Sequence, residues 1–267
     1  MADVRVVTAT LFTDPFCPWS WAAEPLLRRL QVDFGAGMRF TFVIVGLRRT
    51  IEPPDASALA LDVLDAAAET GMPADPRVFL RDPPASTHPA GLAVAAVAEQ
   101  GDPAPYVRRL REAILLEGRR MDAAPALLDA ARELGPTTHP PTPGLDLERL
   151  RVDFGSNAIV ERFGADIERG RGVTTPAYEF DGGERVEGYG PYEHLRAAAL
   201  AAGAEPAADG FPSPEEALRR FGALATPELA AACDLPGPRA PAELWRLALE
   251  WRLRPRRVPG GELWEPA

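Results

Sequence analysis

The sequence predicts an α/β protein whose sheet is interrupted by a large helical insertion and followed by a small C-terminal extension. Three observations carry that prediction. A β-α-β pattern fills the first 50 residues, Ala- and Leu-rich helical segments fill residues 56–170, and a strand-strand-helix pattern resumes before residue 203. An α/β pattern that stops and resumes reads as one sheet with a helical excursion.

The elements follow in order. Val4–Phe12 is apolar and β-rich and reads as the first strand. Pro18–Phe34 reads as one helix with its proline in the first turn, where the missing N–H has no intrahelical partner to lose. Met38–Val45 is the second strand, stopped by Gly46. From Ala56 to about Gly170 the helices are separated by breakers at Gly71–Pro76, at Gly101–Pro105 and in the Pro-rich run Gly135–Gly144. Ala177–Phe180 and Arg185–Glu187, joined by Asp181-Gly182-Gly183, read as a β-hairpin, and Pro191–Ala202 as a helix. The expected organisation is a sheet domain at 1–55 and 171–203, an inserted helical domain at 56–170, a Gly/Pro/Ala-rich linker at 204–214 and a C-terminal domain at 215–267. In that last unit Glu215–Leu224, a segment opened by Thr226-Pro227-Glu228 and Ala242–Arg252 read as helices, and two extended pieces surround Gly260-Gly261. The order helix, helix, helix, hairpin resembles a winged helix.

Composition excludes several chemistries. Hydrophobic residues make up 46% and charged residues 25%, which is ordinary globular usage. All 29 basic residues are arginine, so neither a Schiff-base lysine nor a P-loop lysine is available. A net charge of −10 disfavours nucleic acid and anionic membranes as partners. Residues 211–267 hold eight acidic residues and eight arginines, a balance that also speaks against DNA binding by the winged-helix-like unit. No run approaches the length of a membrane span, and the start lacks a basic segment followed by a long apolar run, so the expectation is a cytoplasmic protein. Cys17 and Cys233, far apart, form neither a disulfide framework nor a zinc-ligand cluster, and no metal site is expected.

The chemistry concentrates in Thr13-Asp14-Pro15-Phe16-Cys17-Pro18-Trp19-Ser20-Trp21. This stretch ends the first strand and opens the first helix, which places Cys17 at the helix N-terminus. Free N–H groups and the positive end of the helix dipole there favour the thiolate, the nucleophilic form. The alternative is a small buried cysteine that fills space beneath the helix.

With DPFCPWSW after a first strand, a long helical insertion, and Gly172-Val173-Thr174-Thr175-Pro176 before a hairpin, residues 4–203 resemble the DsbA-like branch of the thioredoxin superfamily. The resemblance implies a thioredoxin-like sheet with a large helical insertion. It implies Cys17 as the attacking nucleophile, and Thr175 before a cis Pro176 as the contact for substrate backbone. Pro18 and Trp19 would border the substrate, and Leu110-Arg111-Glu112-Ala113 is a secondary match. The sequence departs from the family at Ser20, which stands where the second cysteine of Cys-x-x-Cys would be. A hydroxyl cannot resolve a mixed disulfide. Cys233 lies in an apolar helical stretch and reads as a core residue rather than a substitute.

Three functions are compatible with this pattern. The first is a monothiol thiol-disulfide oxidoreductase or isomerase in which Cys17 forms mixed disulfides, an external small thiol such as glutathione resolves them, and the Ser20 hydroxyl donates to the thiolate. The second is a thiol-dependent small-molecule enzyme similar to kappa-class glutathione transferases and hydroxychromene carboxylate isomerases. The third is a non-enzymatic protein adaptor, with the C-terminal unit as docking surface. The partner is then a protein disulfide or a small-molecule thiol substrate, no cofactor is permanently bound, and a homodimer is left open. His88, His139 and His194 stand at breakers or within a helix and read as capping or solvent-exposed residues. Arg48-Arg49 could hold a co-thiol carboxylate. Trp19 and Trp21 fall on different helix faces, one of them facing the core.

Overall fold

The first strand, β1 (Val7–Thr13), is largely buried on both faces because it lies inside the sheet, between two neighbouring strands. Val7, Ala9 and Leu11 pack with Leu30, Phe34 and Tyr178, while Phe12 packs on the other face with Val43 and Ala177. A computed structural model of the chain describes residues 5–135 and 144–267. Val4, His139 and most of the Pro-rich run between Gly135 and Gly144 lie outside them.

Two helices follow where one was expected. Pro18–Ala22 forms α1 and Glu24–Phe34 forms α2, divided at Ala23. Pro25 explains the break: it has no N–H to give the Trp21 carbonyl, and its ring crowds that carbonyl. The chain returns as β2 (Met38–Ile44), parallel to β1 in a register running from Val7↔Met38 to Thr13↔Ile44. The insertion contributes α3 (Pro53–Thr70), α4 (Arg77–Arg81), α5 (His88–Ala98), α6 (Ala104–Leu115), α7 (Ala124–Arg132), α8 (Leu147–Asp153) and α9 (Asn157–Arg169). Its core of Phe79, Tyr106, Leu110, Ile114 and Leu115 is continuous with Phe16, Trp21 and Ile44, so the helical block shares its interior with the start of α1. Where α5 meets α9, a Cβ on Gly91 would stand 2.4 Å from the Phe163 ring, so only glycine permits that approach.

The hairpin β3 (Ala177–Phe180) and β4 (Arg185–Glu187) adds to β1 antiparallel and completes the strand order β2-β1-β3-β4. Helix α10 (Tyr192–Ala201) then packs Leu195 and Ala199 onto the α2 face of the sheet. The sheet with its helical insertion has the arrangement expected from the sequence.

The C-terminal unit departs from expectation in its boundaries. Helix α11 (Pro214–Phe221), capped reciprocally by Ser213 and Glu216, stops at Gly222, whose φ of +82° suits glycine. Leu224-Ala225, of which Leu224 was expected to end that helix, forms strand β5 instead and pairs with Trp264 and Leu263. Helix α12 (Thr226–Ala232) follows, then α13 (Arg239–Leu249). The last helix begins and ends three residues earlier than expected: Pro241 is accommodated in its first turn, and Trp251 takes a left-handed φ of 59° just beyond its end. Strands β6 (Leu253–Val258) and β7 (Gly261–Pro266) close a three-stranded sheet of order β5-β7-β6.

This unit is docked. Val32 of α2 shares an apolar cluster with Leu218, Leu229, Leu244 and Trp264. The connecting segment is also held, by the Ala207 N–H on the Asp33 carbonyl (2.7 Å) and by Phe211 under the Arg29 guanidinium (4.2 Å).

Candidate functional site

The turn between β1 and α1 is fixed by one buried carboxylate. Asp14 Oδ1 accepts the Phe16 N–H at 2.9 Å, and Oδ2 accepts the Leu47 N–H at 2.8 Å and the Thr87 hydroxyl at 3.3 Å. Those bonds tie the turn to the chain after β2 and to the start of α5. Burial lifts the Asp14 pKa to about 6 even though the hydrogen bonds and Arg111 favour the charged form. The Asp14 carbonyl accepts the Cys17 N–H at 3.1 Å, and Cys17 becomes the N-cap of α1.

At the cap two distant parts of the chain meet at the sulfur. The Ser20 N–H donates to Cys17 Sγ at 3.4 Å, and Thr175 Oγ1 stands 3.2 Å away across 158 residues of sequence. The Thr175–Pro176 peptide bond is cis, as the resemblance implied. Its loop is anchored to β4 by the Gly188 N–H, which donates to the Pro176 carbonyl at 2.8 Å. Since α1 has only five residues, nearby N–H and O–H groups rather than a long helix dipole provide the polarity around the sulfur.

Ser20 behaves differently from expectation. Its backbone N–H meets the sulfur, but its hydroxyl does not: Ser20 Oγ is buried and has no hydrogen-bond partner among the described residues. It borders a small cavity of about 10 Å³ shared with Thr13, Glu24, Arg111 and Pro176. In the first turn of a helix the N3 amide turns back to the cap while its side chain leaves on another course. Pro18 is buried. Trp19 is half-buried and tilts against Tyr189 with ring centres 5.9 Å apart. Trp21 is the inward tryptophan, with its Nε1–H on the Pro73 carbonyl at 2.8 Å and Arg108 over its ring.

Beneath this site lies a buried charge cluster that joins all three parts of the molecule. Glu24 of α2 accepts from Arg28 at 2.7 Å and from Arg111 of α6, which also donates to Thr13 Oγ1. Glu228 of α12 accepts from Arg108 at 2.8 and 3.0 Å and from Arg28 at 3.3 Å. Burial alone would raise the Glu24 pKa; Arg28, Arg111 and Arg108 hold it below the ordinary carboxylate value. Sequence reasoning missed this cluster. Its signal was present, since Arg111 lies four residues after Val107 and three before Ile114 on the apolar face of α6, where a charge requires a partner.

The lesser candidates separate from the thiol. His88 packs edge-on to Phe163 at 5.3 Å and bonds near Gly46, and burial lowers its pKa. His194 is exposed, Arg48 lies 3.6 Å from Asp55, and Arg49 is exposed. Cys233 sits in the core of the C-terminal unit, where burial, with Glu215 and Glu216 nearby, pushes its thiol up to about 12.

A family model described as thioredoxin matches residues 10–174. The ClpXP adapter protein SpxH of Halalkalibacterium halodurans is 27% identical over 274 residues, spanning 95% of this chain and 86% of that protein. A putative protein disulfide isomerase from Nitrosomonas europaea has a similar structure, with a TM-score of 0.62 at 20% identity over 74% of this chain and 97% of its own. The cytosolic disulfide reductase DsbM from Pseudomonas aeruginosa, whose structure is also known with GSH, gives 0.54 at 24% identity over 72% and 92%.

Proposed function

The chain belongs to the thioredoxin family and has the fold of its DsbA-like branch, and from that premise we propose that it is a monothiol disulfide-handling protein of the cytoplasm. The observation that carries this reading is Cys17 Sγ held between the Ser20 N–H and the Thr175 hydroxyl with no second thiol beside it. In the forward step the Cys17 thiolate attacks one sulfur of a substrate disulfide. A bond forms to that sulfur, and the other sulfur leaves as a thiolate. Ser20 cannot repeat the attack, so an external small thiol, with glutathione as the model, attacks the mixed disulfide. It takes up one sulfur and releases the other as a thiolate.

Oxidised glutathione provides the test. The wild-type protein is expected to accumulate one glutathione adduct, on Cys17, that persists until free thiol is added. Ser20→Cys is expected to clear the adduct internally, because the introduced thiol can attack Cys17 Sγ and close a disulfide with it. A wild-type protein that stays unmodified refutes the monothiol reading.

A second reading has its own support. The match to an adapter protein spans 95% of the chain and so includes the C-terminal unit, whereas the matches to the isomerase and reductase cover 74% and 72%. That unit would then present a protein for degradation, with Cys17 dispensable. Acceleration of ClpXP proteolysis that survives Cys17→Ala would favour the adaptor.

A further inference from the structure

Away from the thiol, a groove of about 820 Å³ runs between β2 and α6, walled by α2 and α5 and reaching Phe221 of the C-terminal unit. None of Cys17, Ser20, Thr175 and Pro176 lines it. The consecutive residues Arg39–Phe42 do, and neighbouring strand residues share one cavity only where it follows the strand's edge, because their side chains alternate between faces.

That edge is open. β2 is the outermost strand of its sheet. The Val45 N–H bonds back to the Thr13 carbonyl of β1, while the Ile44 N–H turns outward to Asp166 Oδ2 at 3.3 Å. By alternation the N–H and C=O groups of Phe40 and Phe42 also point outward, into the groove, and no described strand pairs with them. Asp166 caps the Ile44 end and leaves the Phe40–Phe42 stretch free.

The charges at the groove are unequal in their commitments. Arg28, Arg108 and Arg111 are held by Glu24 and Glu228. Among the described residues, Arg39 and Arg220 are exposed and have no carboxylate within salt-bridge distance; Arg220 donates to the Gln31 carbonyl at 2.7 Å and lies over the Phe221 ring, which leaves Arg39 the freer of the two. Unpaired backbone donors and acceptors, apolar walls and two guanidiniums without a carboxylate fit a strand that brings its own.

We infer that the groove along β2 binds an extended segment of a partner protein by strand addition, with an acidic side chain of that segment paired to Arg39 or Arg220. The inference is separate from thiol exchange. A phage-displayed dodecapeptide library panned on the full-length chain, followed by titration with a selected synthetic peptide, tests it. Selected peptides are expected to carry Asp or Glu. Their binding should slow amide exchange at Phe40 and Phe42 while leaving Val43, already bonded to β1, unchanged. The double substitution Arg39→Gln, Arg220→Gln should weaken binding by about tenfold or more, as should Glu→Gln in the peptide. Cys17→Ala should leave affinity as it was. The inference is overturned by a library that yields no binder, by binding indifferent to both arginines, or by protection that appears around Cys17 or on α13. It is also overturned if self-association alone protects Phe40 and Phe42, or if decanoate fills the groove while the selected peptides leave those amides unprotected.

Discussion

Cys17 and Cys233 are both buried, at 4% and 8% exposure, yet their surroundings differ in kind. Cys17 caps a helix, and its sulfur meets a backbone N–H and a hydroxyl drawn from segments on either side of the insertion. Cys233 follows the end of α12 among Leu229, Leu244 and Trp264, where burial is the first cause of its raised pKa. Exposure alone therefore says little about a thiol. What separates the two is whether the fold supplies donors for the charged sulfur, which an apolar core cannot.

The largest expected effect tests that contrast directly. With its pKa near 12, Cys233 is ionised to about one part in ten thousand at pH 8. Native alkylation by iodoacetamide, followed by peptide mass spectrometry, should modify Cys17 at least about a thousandfold faster. Similar rates at the two sites would break the comparison.

The next prediction asks whether the region around Cys233 is structurally independent of the region around Cys17. Glu228→Ala leaves Arg108 and Arg28 facing a vacated, buried site, and truncating one partner of such a cluster costs roughly 3–5 kcal/mol. Urea unfolding should show that loss in a single transition shared by both regions. Separate transitions, with the loss confined to one, would show that the C-terminal unit folds by itself.

Asp14 gives a pH signature that belongs to the Cys17 region. Its folded pKa of about 6 lies above the unfolded value of 3.8. The contribution is fully present below pH 3.8 and is lost as pH rises through about 6, so at neutral pH ionised Asp14 opposes folding by on the order of 3 kcal/mol relative to acid. The stability difference between wild type and Asp14→Asn, measured by denaturant unfolding from pH 3.5 to 7, should shift against wild type across that window. A constant difference would mean that Asp14 does not titrate there.

The smallest effect sharpens the account of the sulfur itself. Thr175→Val keeps the side chain's shape and removes the hydroxyl 3.2 Å from Cys17 Sγ. Loss of about 1 kcal/mol from the thiolate predicts roughly fivefold slower alkylation of Cys17 with no change at Cys233. An unchanged rate would leave the Ser20 N–H as the significant donor.

Much of this is legible from sequence because it is local. The Thr13–Trp21 stretch declares a strand end, a turn and a helix cap, and β3 and β4 follow from Ala177–Phe180 and Arg185–Glu187 around their glycines. The departures are local too: Pro25 stands where one continuous helix was expected and Pro241 just before an expected helix start, although proline is disruptive in the first setting and tolerated inside the first turn in the second. Leu224-Ala225 is not recognisable as a strand because two residues have no periodicity of their own, and the strand exists only where Leu263 and Trp264 lie alongside.

By itself the sequence determined the α/β class, the position of the insertion, Cys17 at a helix start and the lack of a resolving thiol at Ser20. Each depends on residue type and short spacing, and hydrogen-bond rules act over that range. Only the tertiary structure decided that Thr175 reaches the sulfur while the Ser20 hydroxyl does not, that Asp14 is buried, and that Glu24, Arg28, Arg108, Arg111 and Glu228 meet. The physical reason is distance in sequence: Thr175 is 158 residues from Cys17, and the members of the charge cluster lie up to 204 residues apart and meet through the packing of α2, α6 and α12, so a buried charge acquires its partner from that packing rather than from its neighbours in sequence.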